Sequence, residues 1–232
     1  MPIKRPQLVN NEIYHIIARG AGDSVTFRND KDYYRAISSF YEFNTSDPIE
    51  IKIQKERHKT QKYGEPFSDT RKLLVEILAF CLMPNHIHLL LRQIVDGGIS
   101  LFMRKFGAGY VGFFNKKYER KGPLFAKFRA VHIQSDEQLK IIFSYIHTNP
   151  VSLIEPHWKE KGIKDFVKTN KFLENYQWSS YLDYIGKKNF PSVIKRQMLS
   201  KIMGGEKECR EFVQDWLKYK EIAKETKEFS LE

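Results

Sequence analysis

Two histidines set one residue apart in an apolar run are the residues best placed to do chemistry. The stretch CLMPNHIHLLL, residues 81–91, contains His86 and His88. In an extended strand, residues i and i+2 point to the same face, so both imidazoles share one side of the strand. Two adjacent imidazoles can bind a divalent metal if another element supplies a third ligand. The alternative is a pair of half-buried histidines satisfied by hydrogen bonds.

A helix predicted over residues 135–150 carries the other candidates. Its start is indicated by Ser135 followed by acidic residues, and its end by Pro150, which disfavours helical geometry in the residue before it. Tyr145 and Asn149 are four residues apart and therefore share one helical face. An asparagine oxygen suits Mg²⁺ or Mn²⁺ better than zinc. If this face lies over the histidines, Tyr145 is about one turn from the metal; otherwise Tyr145 is a core tyrosine.

Other tyrosines and histidines compete for these roles. Tyr110 and Tyr118 also lie between the histidine pair and the end of the helix, but neither has an amide side chain four residues later. Asn115 is five residues after Tyr110, which rotates it off that face. His147 points elsewhere on its helix and is predicted to lie at the surface or to contact DNA. His132 is predicted to be structural.

The charge balance favours a polyanionic partner. The chain has 39 Lys and Arg against 28 Asp and Glu, a formal net charge of +11 and a pI near 9.4. Basic residues are dense in one segment, where interleaved aromatic residues offer possible stacking surfaces. The alternative is a solvated basic face. The predicted DNA-binding residues are Arg104, Lys105, Lys116, Lys117, Arg120, Lys121, Lys127 and Arg129.

The pattern of elements predicts an α+β fold. Strands and helices alternate irregularly, which favours an antiparallel sheet with helices packed on one face rather than a repeating βαβ array. The predicted strands are 13–20, 49–53, 72–83 and 86–93, with a turn and then a further strand within 122–134. The predicted helices are 29–43, 99–120 and 135–150. A charged amphipathic helix is predicted near the C-terminus.

Composition narrows the classes of protein further. The two cysteines, Cys81 and Cys209, form no CxxC pair, so neither a zinc knuckle nor a disulfide framework is expected. The first residues lack a signal-like apolar run, and no stretch approaches 18 consecutive apolar residues. We therefore expect a soluble, cytoplasmic protein that does not contact a membrane.

Several motifs together resemble a known family. PNHIHLLL is similar to the histidine–hydrophobe–histidine signature of the HUH single-strand DNA transposases. NEIYHIIARG, GPLFAKFRA, SYIHTNPV and WSSY resemble one branch of that superfamily, the REP-associated tyrosine transposases. The matched pieces run from about residue 12 to 184. The resemblance implies a ferredoxin-like antiparallel sheet, with a catalytic domain over residues 1–186 and a basic helical extension over 187–232.

The resemblance also implies a chemistry. His86, His88 and Asn149 would bind Mg²⁺ or Mn²⁺, and Tyr145 would be the nucleophile that forms a 5′-phosphotyrosine link. The substrate would be single-stranded or hairpin DNA, cleaved and rejoined by a monomer or a homodimer. Where many relatives carry Trp and Arg, this chain has Phe125 and Lys127, which affects the expected DNA contacts.

Other functions remain open on the same residues. The first alternative is a non-catalytic nucleic-acid-binding module on the same fold, but the intact set of two histidines, tyrosine and asparagine favours an enzyme. The second is a replication initiator or relaxase, which shares the chemistry. The absence of a helicase-like second domain counts against its larger forms.

Overall fold

A four-stranded antiparallel sheet forms the centre of the molecule. The computed structural model describes residues 6–48 and 71–218. Within them the strand order is β2-β3-β1-β4, with all neighbours antiparallel. The strands are β1 (Ile13–Arg19), β2 (Val75–Met83), β3 (His86–Gln93) and β4 (Arg129–Ile133).

Helices complete the fold on both sides of this sheet. The first two, together with the four strands, follow the β-α-β-β-α-β order of ferredoxin-like folds, so the predicted fold class is confirmed. The helices are α1 (Asp30–Glu42), α2 (Gly98–Lys117), α3 (Asp136–Thr148), α4 (Trp158–Lys161), α5 (Phe166–Leu173), α6 (Tyr181–Tyr184), α7 (Gln197–Met203) and α8 (Glu206–Lys218), with 3-10 turns at Ala21–Asp23 and Asn149–Leu153.

Most predicted elements are observed within a few residues of the expected bounds. The segment 122–134, predicted to form a turn and then a strand, has its strand at Arg129–Ile133. Upstream of it the chain forms an isolated bridge between Phe125 and Gly20. The strand predicted at 49–53 lies outside the described residues.

One face of the sheet is an apolar layer covered by α1 and α2. The side chains of Ile16, Leu89 and Phe80 fall on this face, because they pair across β1, β3 and β2. Phe40 of α1 packs between Phe80 and the aromatic residues of α2. These aromatic and branched side chains are fully buried, which gives the fold its main core.

Gly109 of α2 lies where this helix packs closely beside α1. A Cβ atom added to Gly109 would lie 2.1 Å from the ring of Phe43, just beyond α1. Glycine at this position therefore permits the close approach of the two helices, even though glycine lowers intrinsic helix stability.

The opposite face of the sheet carries the histidines. Ile17 pairs with His88 and Arg19 pairs with His86, so these residues, with His15, share a face that we call the histidine face. Helix α3 lies over this face, with the ring of Tyr145 against the rings of His15 and His88. The two helices of the ferredoxin-like motif occupy one face as expected, and α3 is a further helix on the other.

The WSSY segment covers the outer edge of β2. The Leu82 amide donates to the carbonyl of Trp178, and the Ser180 amide donates to the carbonyl of Phe80. The Ser180 hydroxyl accepts from the Phe80 amide at 2.9 Å. These bonds occupy backbone groups that would otherwise be exposed at a sheet edge.

The C-terminal helices pack back onto the molecule. Helix α8 lies against α3, and its apolar residues Cys209, Val213, Trp216 and Leu217 are buried. No helix in the described part of the chain is long and apolar enough to cross a membrane.

Candidate active site

The paired histidines begin β3, directly after the turn at Pro84 and Asn85. Both are buried, at 8% and 0% exposure, and their ring centroids lie 4.9 Å apart. His86 Nδ1 lies 2.7 Å from the Asn85 Oδ1 atom. His88 Nδ1 lies 3.0 Å from Nε2 of His15. The strand therefore presents two imidazoles on one face, as the spacing predicts.

The Nε2 atom of His88 is the chemically informative atom of this pair. It is buried and has no hydrogen-bond partner among the described residues. A buried nitrogen without a partner is costly, and such groups are uncommon unless something else binds them. A metal ion accepts the lone pair of a neutral imidazole, so the His88 environment fits a metal ligand.

Electrostatics keep His88 neutral. Burial holds the pKa of His88 well below its usual range, and the neighbouring His15, His86, Lys159 and Arg19 lower this pKa further. A neutral imidazole is the form that binds metals. Arg19 pairs with His86 across the sheet, and Lys159 lies over the Tyr145 ring, so both place positive charge at this site.

Tyr145 lies directly over the histidines. Its ring centroid is 5.6 Å from that of His88 and 5.8 Å from that of His15, and both contacts are edge-on. The side chain is only 4% exposed. The Nζ atom of Lys159, from α4, lies 4.9 Å from the centroid of the Tyr145 ring. Tyr145 is thus buried within the histidine cluster and beneath a lysine.

Asn149 is fixed one helical turn beyond Tyr145. It begins the 3-10 turn that follows α3, and it is 3% exposed. Its Nδ2 atom donates to the carbonyl of Tyr145 at 2.9 Å. With the amide nitrogen committed to this bond, Oδ1 is the side-chain atom suited to bind a hard cation.

Helix α3 is positioned by local signals. The Ser135 side chain accepts a hydrogen bond from the Gln138 amide, which caps the helix as the sequence indicates. The helix ends at Thr148, two residues before Pro150. These local signals set where the helix begins and ends, and therefore where Tyr145 and Asn149 fall along it.

His15 is the residue of this site that the sequence did not single out. It is fully buried on β1, stacked on His88 with ring centroids 5.2 Å apart. The available signal was IYHII, a strand in which one histidine interrupts a β-branched run. The pairing of β1 with β3, which brings His15 and His88 together, cannot be read from that local pattern.

The rival tyrosines are structural. Tyr110 is fully buried on the apolar face, where its hydroxyl donates to the Thr26 carbonyl at 2.7 Å and burial raises its pKa. The Tyr118 hydroxyl donates to the buried carboxylate of Asp32 at 2.8 Å. Neither tyrosine contacts the histidine pair.

The prediction that His147 lies at the surface is wrong. This residue is fully buried, its Nε2 lies 2.8 Å from the Ser180 hydroxyl, and burial lowers its pKa to about 3. The WSSY segment covers the side of α3 that was expected to face solvent. His132 contacts Glu12 and stacks on Tyr14, in keeping with a structural role.

Three of the eight predicted DNA-binding residues are held by protein groups. Lys105 donates to the backbone carbonyls of Thr45 and Asp47. Lys117 forms an ion pair with the fully buried Asp32 at 2.6 Å, and Arg120 donates to Asn115 and the Pro123 carbonyl. The other five are exposed: Arg104, Lys116, Lys121, Lys127 and Arg129.

Two of these exposed residues come from a segment beside the site. The Ala126 amide donates to the carbonyl of Arg19 at 2.8 Å, so Lys127 follows directly on a contact with the end of β1. Arg129 pairs with Ile17, which places it on the histidine face. Arg19 and Arg129 therefore add positive charge to the histidine face, and Lys159 adds a further charge over Tyr145.

A conventional cluster of metal ligands is not the basis of this site. In residues 6–48 and 71–218, no group of three or more His, Cys, Asp or Glu side chains could hold a metal ion. His15 does not complete such a set, because its Nε2 faces His88 Nδ1. Two imidazoles with an amide oxygen from Asn149 are the donor set that the sequence indicates.

Comparison with known proteins identifies the central segment. Residues 52–149, which contain the histidine pair, Tyr145 and Asn149, match the family described as transposase IS200 like. The transposase resemblance is confirmed. The match covers less than half of the chain, and no curated protein matches the sequence.

Several solved structures also align with the chain. A REP-associated tyrosine transposase bound to a REP hairpin aligns at 12% identity with a TM-score of 0.46, over 83% of this chain and 90% of that one. A bacterial tRNA(His) guanylyltransferase-like protein in complex with GTP aligns at 11% identity and a TM-score of 0.38, over 66% and 70%. The tRNA(His) guanylyltransferase from Saccharomyces cerevisiae aligns at 13% identity and a TM-score of 0.34, over 93% and 82%.

Proposed function

We propose that this protein is a metal-dependent single-strand DNA endonuclease and strand transferase that uses Tyr145 as its nucleophile. The observation that carries the proposal is the contact between the Tyr145 ring and His88, whose Nε2 is buried without a hydrogen-bond partner among the described residues. The transposase family match over the same segment supports it.

The residues proposed to hold the metal are His86, His88 and Asn149, and the donor set fits Mg²⁺ or Mn²⁺. A divalent cation bound there would supply positive charge to the oxygens of the scissile phosphate. The chain contributes the rest of the chemistry, which consists of orienting the phenol, neutralising the phosphate and holding the strand.

In the proposed reaction Tyr145 Oη attacks the phosphorus atom. A bond forms between Oη and phosphorus while the bond from phosphorus to the 3′-oxygen breaks. The phenol loses its proton and the departing 3′-oxygen gains one, leaving a 5′-phosphotyrosine and a 3′-hydroxyl. Because one phosphoester replaces another, a second 3′-hydroxyl can reverse the step without an external energy source.

Lys159 has two functions in this proposal. A phenol with an ordinary pKa near 10 is a poor nucleophile at neutral pH, and an ammonium over its ring favours the phenolate. Lys159 also covers the buried Tyr145, so an incoming phosphate reaches the hydroxyl by drawing Lys159 onto its own oxygens. The lysine would thereby exchange the ring for the substrate.

We further propose that the exposed basic residues beside the histidine face bind the DNA backbone. Lys127 and Arg129, with Arg19 and Lys159, would guide a strand across the histidine face, and the net charge of +11 supports attraction of a polyanion. Hairpin DNA is the proposed substrate because the family resemblance implies it. Lys105, Lys117 and Arg120 are left out of this surface because protein groups hold them.

Covalent capture tests the proposal directly. Purified protein is incubated with Mg²⁺ or Mn²⁺ and a library of single-stranded hairpins with randomised flanks, labelled at either end. We expect a denaturation-resistant adduct that retains the 3′-labelled fragment and releases a 5′-labelled fragment ending in an extendable 3′-hydroxyl. Peptide mass spectrometry should locate the DNA on Tyr145, and EDTA should prevent the adduct.

The negative outcome is equally informative. Tight hairpin binding without any adduct, in either metal, would contradict the nuclease proposal and support the non-catalytic binding module. An adduct on another tyrosine would retain the reaction class and overturn the assignment of Tyr145.

A further inference from the structure

His15 contacts both a proposed metal ligand, His88, and the proposed nucleophile, Tyr145. Its ring is stacked on His88 with an interplanar angle of 16° and meets the Tyr145 ring edge-on at 78°. Its Nε2 is 3.0 Å from His88 Nδ1, and the side chain is fully buried. His15 thus lies between a proposed metal ligand and the proposed nucleophile.

The direction of the hydrogen bond between the two histidines determines what His88 can bind. If His15 Nε2 donates, His88 Nδ1 is the acceptor and the neutral His88 ring carries its proton on Nε2. If His15 Nε2 accepts, the His88 proton is on Nδ1 and the Nε2 lone pair is available to a metal. Only the second arrangement makes His88 a ligand.

The proposed role of His88 as a metal ligand requires this second arrangement. A metal at the buried Nε2 would take up a lone pair that has no hydrogen-bond partner among the described residues. With the proton on Nδ1, the donor is satisfied by His15 and the remaining lone pair faces the proposed metal position. In metal-binding histidines the N–H of the other ring nitrogen commonly donates a hydrogen bond to an acceptor, which fixes the tautomer and the ring orientation.

We infer that His15 is a positioning residue that accepts a hydrogen bond from His88 Nδ1 and so directs the His88 Nε2 lone pair toward the metal. The inference rests on the proposed function, because it assigns His15 a role in the same site. His15 does not bind the metal or the phosphate in this scheme.

Packing of His15 against Tyr145 adds a second consequence. The His15 ring meets the Tyr145 ring edge-on, with centroids 5.8 Å apart, and so helps to hold the Tyr145 ring in place. A residue at position 15 that keeps a planar ring but lacks an acceptor should therefore preserve Tyr145 packing and lose only the control of His88. Phenylalanine meets both conditions.

Three variants separate these effects. His15→Phe keeps a ring and removes the acceptor, and His15→Gln restores an acceptor oxygen near the position of Nε2. His132→Phe is the matched control, because it removes a strand histidine whose ring stacks on Tyr14, away from the pair. Mn²⁺ affinity is measured from the electron paramagnetic resonance signal of the free ion, without DNA.

We expect His15→Phe to weaken Mn²⁺ binding by about 10- to 100-fold, the range found when partners of metal-binding residues are removed. His15→Gln should recover most of the affinity, and His132→Phe should leave it unchanged. Nitrogen-15 NMR of the wild-type protein without metal should show His88 protonated on Nδ1, a readout that depends on neither metal nor activity.

Two results would overturn the inference: His15→Phe binding Mn²⁺ as well as wild type, or His88 protonated on Nε2 in the wild-type protein. If His15→Phe does not fold, the NMR measurement and the His15→Gln variant still decide. Failure of the proposed function looks different. In that case the wild-type protein and His88→Ala bind Mn²⁺ equally poorly, and so do His15→Phe and His15→Gln.

Discussion

Two buried tyrosines, one on each face of the same sheet, show how similar burial can serve different purposes. Tyr110 of α2 lies on the apolar face at 0% exposure, and Tyr145 of α3 lies on the histidine face at 4%. The Tyr110 hydroxyl is bound to the Thr26 carbonyl, and its ring is surrounded by phenylalanines. Tyr145 instead contacts imidazoles and an ammonium. Chemistry depends on these neighbours and not on burial alone.

Removing the hydroxyl of each tyrosine in turn tests directly whether the two residues have different roles. Tyr145→Phe should abolish the covalent DNA adduct, because no other hydroxyl of the site is proposed to attack, while hairpin affinity should remain close to that of wild type. Adduct formation is measured on denaturing gels and affinity by fluorescence anisotropy.

Tyr110→Phe is the matched substitution on the other face. It should retain the adduct but lower the free energy of unfolding by about 1–2 kcal/mol, because the buried Thr26 carbonyl loses its donor. Chemical denaturation measures this loss. A reversed pattern, with the adduct lost only in Tyr110→Phe, would transfer the nucleophile to the apolar face.

Replacing Lys159 tests whether the positive charge over the Tyr145 ring contributes to the proposed reaction. Lys159→Met keeps an unbranched side chain over the Tyr145 ring but removes the charge, so we expect adduct formation to slow by about 10- to 100-fold at neutral pH. Single-turnover cleavage at pH 7 measures this rate.

The matched control for this variant is Lys161→Met on the same short helix. Lys161 is exposed and makes no contact with the Tyr145 ring, so its replacement should change the rate by less than about twofold. Equal rates for wild type and Lys159→Met at pH 7 would contradict the role given to the lysine.

The local parts of the site could be predicted from the sequence. The alternation in HIHLLL places His86 and His88 on one face, and the Ser135 cap and Pro150 bracket the helix that carries Tyr145. These signals are effective because they lie within a few residues of the groups that they position. The ferredoxin-like sheet was expected from the family resemblance and not from such local signals, and the observed strand order agrees with it.

Residues brought in from distant segments could not be predicted. His15 meets His88 across a separation of 73 residues, and only the register between β1 and β3 makes them neighbours. His147 was wrongly expected at the surface because WSSY, 33 residues later, covers it. The stretch IIFSYIHT did hold a signal, since a helix that is apolar nearly all round is usually buried.

The basic residues show the same limit. Lys105 and Lys117 read as free cations in the sequence, yet one donates to two backbone carbonyls and the other pairs with buried Asp32. A count of charges cannot distinguish a lysine that is committed within the fold from one that is available to DNA. Only its partners in the folded protein make that distinction.

Removing a single exposed charge should have the smallest effect on hairpin binding. Comparing two such substitutions shows along which face of the sheet the DNA lies. Lys127 follows the contact between Ala126 and Arg19 beside the histidine face, whereas Lys116 lies at the end of α2, the helix that covers the apolar face. Lys127→Ala should weaken hairpin binding about two- to fivefold and reduce the slope of log affinity against log salt by about 0.7–0.9, the value for one phosphate contact. Lys116→Ala should change both quantities less.

Because both lysines are exposed, neither substitution should alter the free energy of unfolding measurably, and the two variants differ mainly in position. A larger loss in Lys116→Ala would place the strand along α2, and the histidine face would then need a different substrate.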